Sequence, residues 1–393
     1  MFIEPLHTLL SMISGMAAIY TLPGSWALAR WSWAARTVHI AQRNSESNAH
    51  ILILIPAHNE AATLPRTLPP IIEQAAQDQR CTVVLIADNC SDNTAEIAQQ
   101  LGAITLCRND DTARGKGHAL AHAFHSFPDF PWNLIVDADS RLDDQFLSCL
   151  RQKLSEQPDA VQTRYEPDCA VDDPLANLKQ WALHAFNVNR QRGRAHLGES
   201  VSLLGNGFAI SADTLAKVPY QAGSNVEDFE YQLRLQAANL KIRWLEEVAV
   251  HGEMPYGQSE STQRVRWEGG RIAMLRQFGG YFSLQLFRDH RMAWPALQEL
   301  LLLPLSFHSL LLGLACLGGN FSTVLGILGF LILIAHATQA LLELKPSQRR
   351  GALIGLPRYM LWKLTQLPAI LRGSAKNSPW LRSERQAERR TTP

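Results

Sequence analysis

The stretch from Ile51 to Ser140 constrains the fold more than any other part of the chain, because short apolar runs and helical patterns alternate along it. ILILIP (51–56) reads as a buried strand, and TVVLIA (82–87), AITLCR (103–108) and NLIVD (133–137) read as three more strands. Between them, AATLPRTLPPIIEQAAQ (61–77), NTAEIAQQLG (93–102) and GHALAHAFHSF (117–127) carry helical spacing; the first is entered through prolines and the second closes on Gly102. Strands alternating with helices imply an α/β domain with a mostly parallel sheet covered on both faces. Ligands of such sheets sit beyond the C-terminal ends of the strands. Those ends read Pro56-Ala57-His58-Asn59-Glu60, Asp88-Asn89-Cys90-Ser91-Asp92 and Asp137-Ala138-Asp139, all polar and the last two acidic.

Asp137 and Asp139 would lie near Asp88 at one rim, and three carboxylates there are electrostatically poor unless a cation or a hydroxyl-rich ligand offsets them. Mg²⁺ and Mn²⁺ take oxygen ligands, Mg²⁺ typically one or two carboxylates with substrate phosphates. An Asp-x-Asp alone reads as readily as a solvated turn; its place at a strand end is what favours a metal. RGKGHAL (114–120) supplies the opposite charge through Arg114 and Lys116, and a helix begins there, so free N–H groups face an anion. Taken alone it also suits a flexible basic loop, and the spacing of a phosphate-binding kinase loop is absent.

SNVEDFEYQLRLQ (224–236) puts Glu227 and Asp228 in the first turn of a helix with Ser224 or Asn225 as N-cap. The helix dipole there is expected to keep Asp228 ionised. Such acids serve as caps or, beside a cleft, as proton acceptors. QRVRW (263–267) joins two arginines to an indole, either a phosphate clamp with a stacking surface or a basic aromatic membrane-interface segment.

Charged residues make up 19% of the 393 residues, against roughly 25% in an average soluble domain. The shortfall fits a soluble domain joined to membrane helices. Spans are expected from about Leu6 to Leu28, Ala296 to Cys316 and Phe321 to Leu342, the last two forming a hairpin across LGGN. The competing reading of the last two is a buried helical hairpin. Arg30, Arg36 and Arg43, then Arg288 and Arg291, then Lys345, Arg349 and Arg350 all fall on one side in this arrangement, which makes that side cytoplasmic. The expected order is a membrane helix in 1–30, a linker in 31–50, an α/β domain in 51–290, a membrane hairpin in 291–345 and a tail in 346–393. The apolar segment 351–373 carries Arg358 and Lys363 and is expected at the interface with its cations at the headgroups; a fourth span is the alternative. Six scattered cysteines read as reduced thiols, and a net charge of +1 with no basic stripe interleaved with aromatics gives no argument for a nucleic-acid partner, and none is expected.

Taken together, IPAHNE, ADNCSDNT, RGKGHAL, VDADS, LLGNGFAI, VEDFEY and QRVRW, in this order from about Ile51 through Phe278, resemble the membrane-bound family 2 glycosyltransferases of GT-A (Rossmann-like) fold, and the last three the cellulose-synthase-like branch. The resemblance implies an inverting transfer from a UDP-sugar to a polysaccharide or lipid-linked acceptor, with Mg²⁺ or Mn²⁺ as cofactor. It implies that Ala57, Glu60 and Asp88 hold the uridine, that Asp137 lies beside the nucleotide, and that Asp139 binds the metal. Lys116 or Arg114 would lie near the phosphates, and Gly205, Asn206 and Gly207 would line the acceptor side with Glu227. Asp228 would be the general base, while Gln263, Arg266 and Trp267 would bind the pyrophosphate and the acceptor sugar. His251 is read as structural. The implied setting is multi-pass in a cell inner membrane with a cytoplasmic catalytic domain, and other subunits of a synthase or export complex count among the partners. The alternatives are a single transfer to a lipid or polyprenyl phosphate and an inactive binding subunit. A nucleotidyltransferase is disfavoured because PAHNE is not the Gly-rich basic loop it needs after the first strand.

Overall fold

Strands β1 (Ile51–Ala57), β2 (Cys81–Asp88), β3 (Ile104–Arg108), β4 (Trp132–Ile135), β5 (Ser140–Leu142), β6 (Ala160–Asp168), β7 (Phe208–Ser211) and β8 (Ile242–Glu253) form one sheet in the order β3-β2-β1-β4-β7-β6-β8-β5. The structure is a computed structural model that describes residues 3–37, 45–168, 173–221, 224–253 and 258–373. These fall into two units, one built on the sheet and one of helices.

In the sheet unit, β1 is parallel to both β2 and β4, and β2 is parallel to β3. The chain builds outward from β1 through β2 and β3 and then returns to β1's other side with β4. That reversal of strand order opens a crevice at the C-terminal ends of β1 and β4. Every β1 residue but Pro56 is buried, as befits a strand covered on both faces. The Leu64–Gln77 helix packs Leu64, Leu68, Ile71 and Ala75 into this core, and the Phe146–Leu154 helix adds Phe146, Leu147, Leu150 and Leu154. Each such side chain contributes about 1.5–3 kcal/mol on burial, alanine less.

The sheet is mixed rather than mostly parallel. β7 runs antiparallel to both β4 and β6, and β5 antiparallel to β8. The reason is local: β7 follows a turn at Leu203–Gly207 that lies where β4 ends, with Phe208 opposite Ile135, so the chain re-enters the sheet from the crevice rim. Position 207 demands glycine twice over. Its φ is +65°, and a Cβ there would lie 2.6 Å from both Thr163 Oγ1 and Val250 Cγ2.

The helical unit contains Ile3–Ala34, Pro174–His196 (π-helical over Ala185–Asn189), His290–Leu301, Leu305–Ala315, Asn320–Glu343 and Pro346–Gly373 up to residue 369. Residues 173–199 group with this unit. Among the described residues, Asn320–Glu343 is the one single helix long and apolar enough to cross a membrane. The expected second span is two helices, His290–Leu301 and Leu305–Ala315, meeting at 83°. Pro304 caps the second of them, which explains why the helix does not run through.

Several polar groups of this unit point inward beside its buried apolar clusters, and many large apolar side chains point outward. Ser11 Oγ donates to the Gly318 carbonyl (2.8 Å), Ser25 Oγ meets His308 Nε2 (3.1 Å) and Ser32 Oγ meets His336 Nδ1 (2.8 Å). Leu9, Met12, Met16, Ile19 and Trp26 are exposed on the first helix, as are Phe321, Val324, Ile327, Leu331 and Ile334 on Asn320–Glu343. Contacts at Ser11–Gly318 and Ser32–His336 make these two helices parallel. Arg192 pairs with Glu343 at 2.9 Å, and Arg194 with Glu299. Lys363, expected at the headgroups, is buried with its ammonium 5.1 Å from the Phe307 ring centroid, whereas Arg358 is exposed.

Candidate active site

A polar cleft opens at the C-terminal ends of β1, β2 and β4 in the sheet unit. Ala57, Glu60, Asp88, Lys116, Asp137, Asp139, Gly205, Glu227, Asp228, Gln263, Arg266 and Trp267, all singled out from the sequence, line it. The remaining walls include His58, Asn89, Arg114, Tyr165, Asn225 and Glu253. Asn206 and Gly207, expected on the acceptor side, do not line it. Asn206 is buried and turned toward the end of β4, and Gly207 is packed against Thr163 and Val250.

The β1 and β2 ends are stitched together by short polar bonds. Asn59 Nδ2 donates to Ser91 Oγ (3.1 Å), and the Ser91 N–H donates to Asn59 Oδ1 (2.7 Å). His58 Nδ1 lies 2.7 Å from the Asp88 carbonyl, which fixes the proton on Nδ1 because a carbonyl only accepts. Asp88 is nearly buried and receives Arg108 Nη1 at 2.6 Å; Arg108 also donates to Asp110 (3.0 Å) and to the Ala113 carbonyl (2.7 Å). Arg108 had no signal in the sequence. Only the register that sets Asp88 opposite Arg108 brings them together.

Lys116, in the first turn of the Lys116–Ser126 helix, donates to both Asp137 Oδ1 and the Gly205 carbonyl. Burial alone would push its ammonium pKa down, but Asp137, Glu227 and Asp228 around it hold the pKa above the ordinary value. Arg114 pairs with Asp111. His251 pairs with Asp143 at 2.8 Å and is absent from the cleft wall, as a structural role requires.

Glu227 and Asp228 occupy the first turn of the Glu227–Ala237 helix, but the N-cap is Val226, and Ser224 Oγ only accepts the Val226 N–H at 3.4 Å. Asp228 Oδ1 accepts the Phe229 N–H at 2.8 Å. Its acidity departs from expectation. Burial pushes the Asp228 carboxyl up, and the Phe229 N–H, Lys116 and Arg266 offset this only in part. Glu227 is pushed up to about 7 by burial and by Asp228. The helix dipole is thus outweighed by desolvation of two adjacent carboxylates.

No group of three metal-ligating side chains gathers among the described residues. Asp137 and Asp139 nevertheless offer oxygen donors alone, the set Mg²⁺ or Mn²⁺ prefers when substrate phosphates complete the shell. The cleft therefore offers carboxylates for a hard cation, Lys116 and Arg266 for an anion, and two high-pKa carboxyls for a proton.

Residues 48–278 match the family model described as glycosyltransferase like family 2. The chain is 23% identical over 256 residues to "Probable glycosyltransferase YdaM" of Bacillus subtilis (strain 168), covering 62% of this chain and 60% of that protein. It is 31% identical over 109 residues to 4,4'-diaponeurosporenoate glycosyltransferase of Staphylococcus haemolyticus (strain JCSC1435), covering 26% of this chain and 28% of that protein. The matched stretches thus span less than two thirds of either relative. The mannosyltransferase PcManGT from Pyrobaculum calidifontis, solved with GDP-Man and Mn²⁺, superposes with a TM-score of 0.60 at 14% identity, over 94% of this chain and 98% of its own. That likeness shows a shared GT-A-like fold. By the match over more than half its length, this chain belongs to glycosyltransferase family 2.

Proposed function

We propose that the enzyme transfers a sugar from a UDP-sugar to an acceptor hydroxyl with inversion at the anomeric carbon, forming a β-glycoside. The observation that carries this is one cleft joining the strand-end carboxylates Asp137 and Asp139 to the first-turn acid Asp228, with Lys116 between them. Asp228 takes the proton of the acceptor hydroxyl as that oxygen attacks the anomeric carbon from the face opposite the diphosphate. The bond from that carbon to the diphosphate oxygen breaks in the same step, and the proton on Asp228 later passes to solvent. Lys116 and Arg266 stabilise the departing negative charge. Arg266 Nε is buried without a hydrogen-bond partner among the described residues, as suits a guanidinium that awaits an anion. Asp139, with Asp137, would hold Mg²⁺ or Mn²⁺, which when bound supplies further charge stabilisation to the diphosphate. Ala57, Glu60 and Asp88 receive the nucleoside, and Gln263 and Trp267 the acceptor sugar.

The helical unit is read as membrane-embedded, with the sheet unit on the cytoplasmic side. Several of its polar groups are paired inside and many large apolar side chains lie outside, which suits lipid as the solvent. Ser11 and Ser32 are 21 residues apart, roughly 30 Å at about 1.5 Å per residue, and the hydrocarbon core is about as thick. The acceptor is a polysaccharide or a lipid-linked sugar. A lipid or polyprenyl phosphate is the second reading, favoured by the same apolar exterior.

The test is to incubate membranes bearing the enzyme with labelled UDP-sugars and GDP-mannose plus Mn²⁺, and to separate lipid-extractable from polymeric product. Nucleoside diphosphate released by wild type and lost in Asp139→Asn supports transfer at this cleft. Release that survives Asp139→Asn, or EDTA, contradicts the metal assignment.

A further inference from the structure

We propose that Asn206 is a positioning residue that sets the strand-end carboxylates Asp137 and Asp139 and couples their placement to the helix carrying Asp228. Asn206 is 1% exposed and lies in the turn between the cleft and β7. Its Oδ1 accepts the Asp137 N–H at 3.0 Å, and its Nδ2 donates to Ser140 Oγ at 2.8 Å. A backbone N–H only donates, so the amide can be oriented one way. Ser140 is itself fully buried, and its hydroxyl, having accepted from Asn206, donates onward to Asp139 Oδ1 at 3.3 Å. The result is a one-way chain from Asn206 through Ser140 to Asp139.

The turn that carries Asn206 is anchored from two other elements. Gln162 of β6, fully buried, donates to the Asn206 carbonyl at 2.7 Å and accepts the Leu204 N–H at 2.9 Å. Gln232 accepts the Leu203 N–H at 3.0 Å, and Gln232 lies on the same helix as Asp228. A shift of that helix is therefore felt by the turn, and through Asn206 by both aspartates. Groups that orient a metal-binding carboxylate commonly tune affinity by about 10–100-fold.

This inference rests on the proposed metal-dependent transfer, and the experiment separates the two. The full chain in detergent is titrated with Mn²⁺ in the presence of UDP by calorimetry, alongside thermal melts. Asn206→Ala and Ser140→Ala are expected to weaken Mn²⁺ about 10-fold or more, and Ser140→Thr, which keeps the hydroxyl, to restore it. The double variant Asn206→Ala/Ser140→Ala should lose less than the sum, because both act on one chain of bonds. If Asn206→Ala does not fold, Ser140→Ala and Ser140→Thr carry the test. Wild-type Mn²⁺ affinity in folded Ser140→Ala overturns the proposal while leaving the metal reading intact. A wild-type enzyme that binds no Mn²⁺ with UDP or GDP overturns both.

Discussion

Gly205 and Asp228 are in direct apposition: a Cβ built on Gly205 would lie 2.8 Å from Asp228 Oδ2. Gly205 has φ +78° and its carbonyl receives Lys116, so the turn supports both the candidate base and the cation beside it. Gly205→Ala should displace the Asp228 carboxylate and lower turnover at least 10-fold. Both variants carry about 1–3 kcal/mol of positive-φ strain, but Gly207→Ala collides with Thr163 and Val250 in the sheet rather than with Asp228, so its turnover per folded enzyme should be kept and its loss should be in Tm. Melts and turnover per folded enzyme, measured side by side, check this. Equal behaviour of the two variants would count against the distinction.

The acidic pair makes both activity and stability depend on pH. Glu227 has its folded pKa raised from 4.5 to about 7, and Asp228 is raised as well. Between those values the folded protein holds a proton that the unfolded chain releases. The associated stability is fully present below about 4.5 and is lost as pH rises through about 7. The Tm of donor-free enzyme should therefore fall from pH 5.5 to pH 8, and fall less in Glu227→Gln. The acidic limb of kcat/KM should shift to lower pH in that variant, since one of two like charges is gone.

How much was legible in the sequence differs between the two units. β1, β2 and β4 announced themselves because a strand buried on both faces must be apolar throughout, and their polar ends could only be a rim; β3, an edge strand with Ile104 exposed, does not follow that rule. β7 was not legible as antiparallel, since four residues of strand carry no direction; the turn geometry at Gly205 and Gly207 sets it. Arg108 was missed because a lone basic residue at a strand end means nothing until the register places it against Asp88. Asn206 was expected on the acceptor side of the cleft, which it does not line. A side chain in a turn can face the cleft or the core, and here the Asp137 N–H and Ser140 Oγ hold it toward the strand end.

The Asp88–Arg108 pair is nearly buried on both sides. Arg108→Met leaves a buried carboxylate without its cation, which should cost about 3–5 kcal/mol. Donor affinity should fall too, as Asp88 turns away. A double-variant cycle with Asp88→Asn checks it: the pair of changes should destabilise less than the two single effects summed. Full additivity would mean that the ion pair contributes nothing.

On the proposed membrane reading, the first helix and Asn320–Glu343, being parallel, cross in the same direction. A reporter placed after Arg350 should read cytoplasmic and one inserted at Leu317 should read external. The opposite readings would put the cleft away from cytoplasmic sugar nucleotides.

The most direct test of the account is turnover per folded molecule of Asp228→Asn, measured with its nucleotide-sugar affinity. The substitution keeps the shape and removes the proton acceptor, while Asp88, Lys116 and Arg266 still hold the donor. The account predicts donor binding near that of the wild type and turnover lower by about 10²-fold or more. Turnover close to wild type, with only the Tm changed, would contradict it and leave Asp228 as a structural residue.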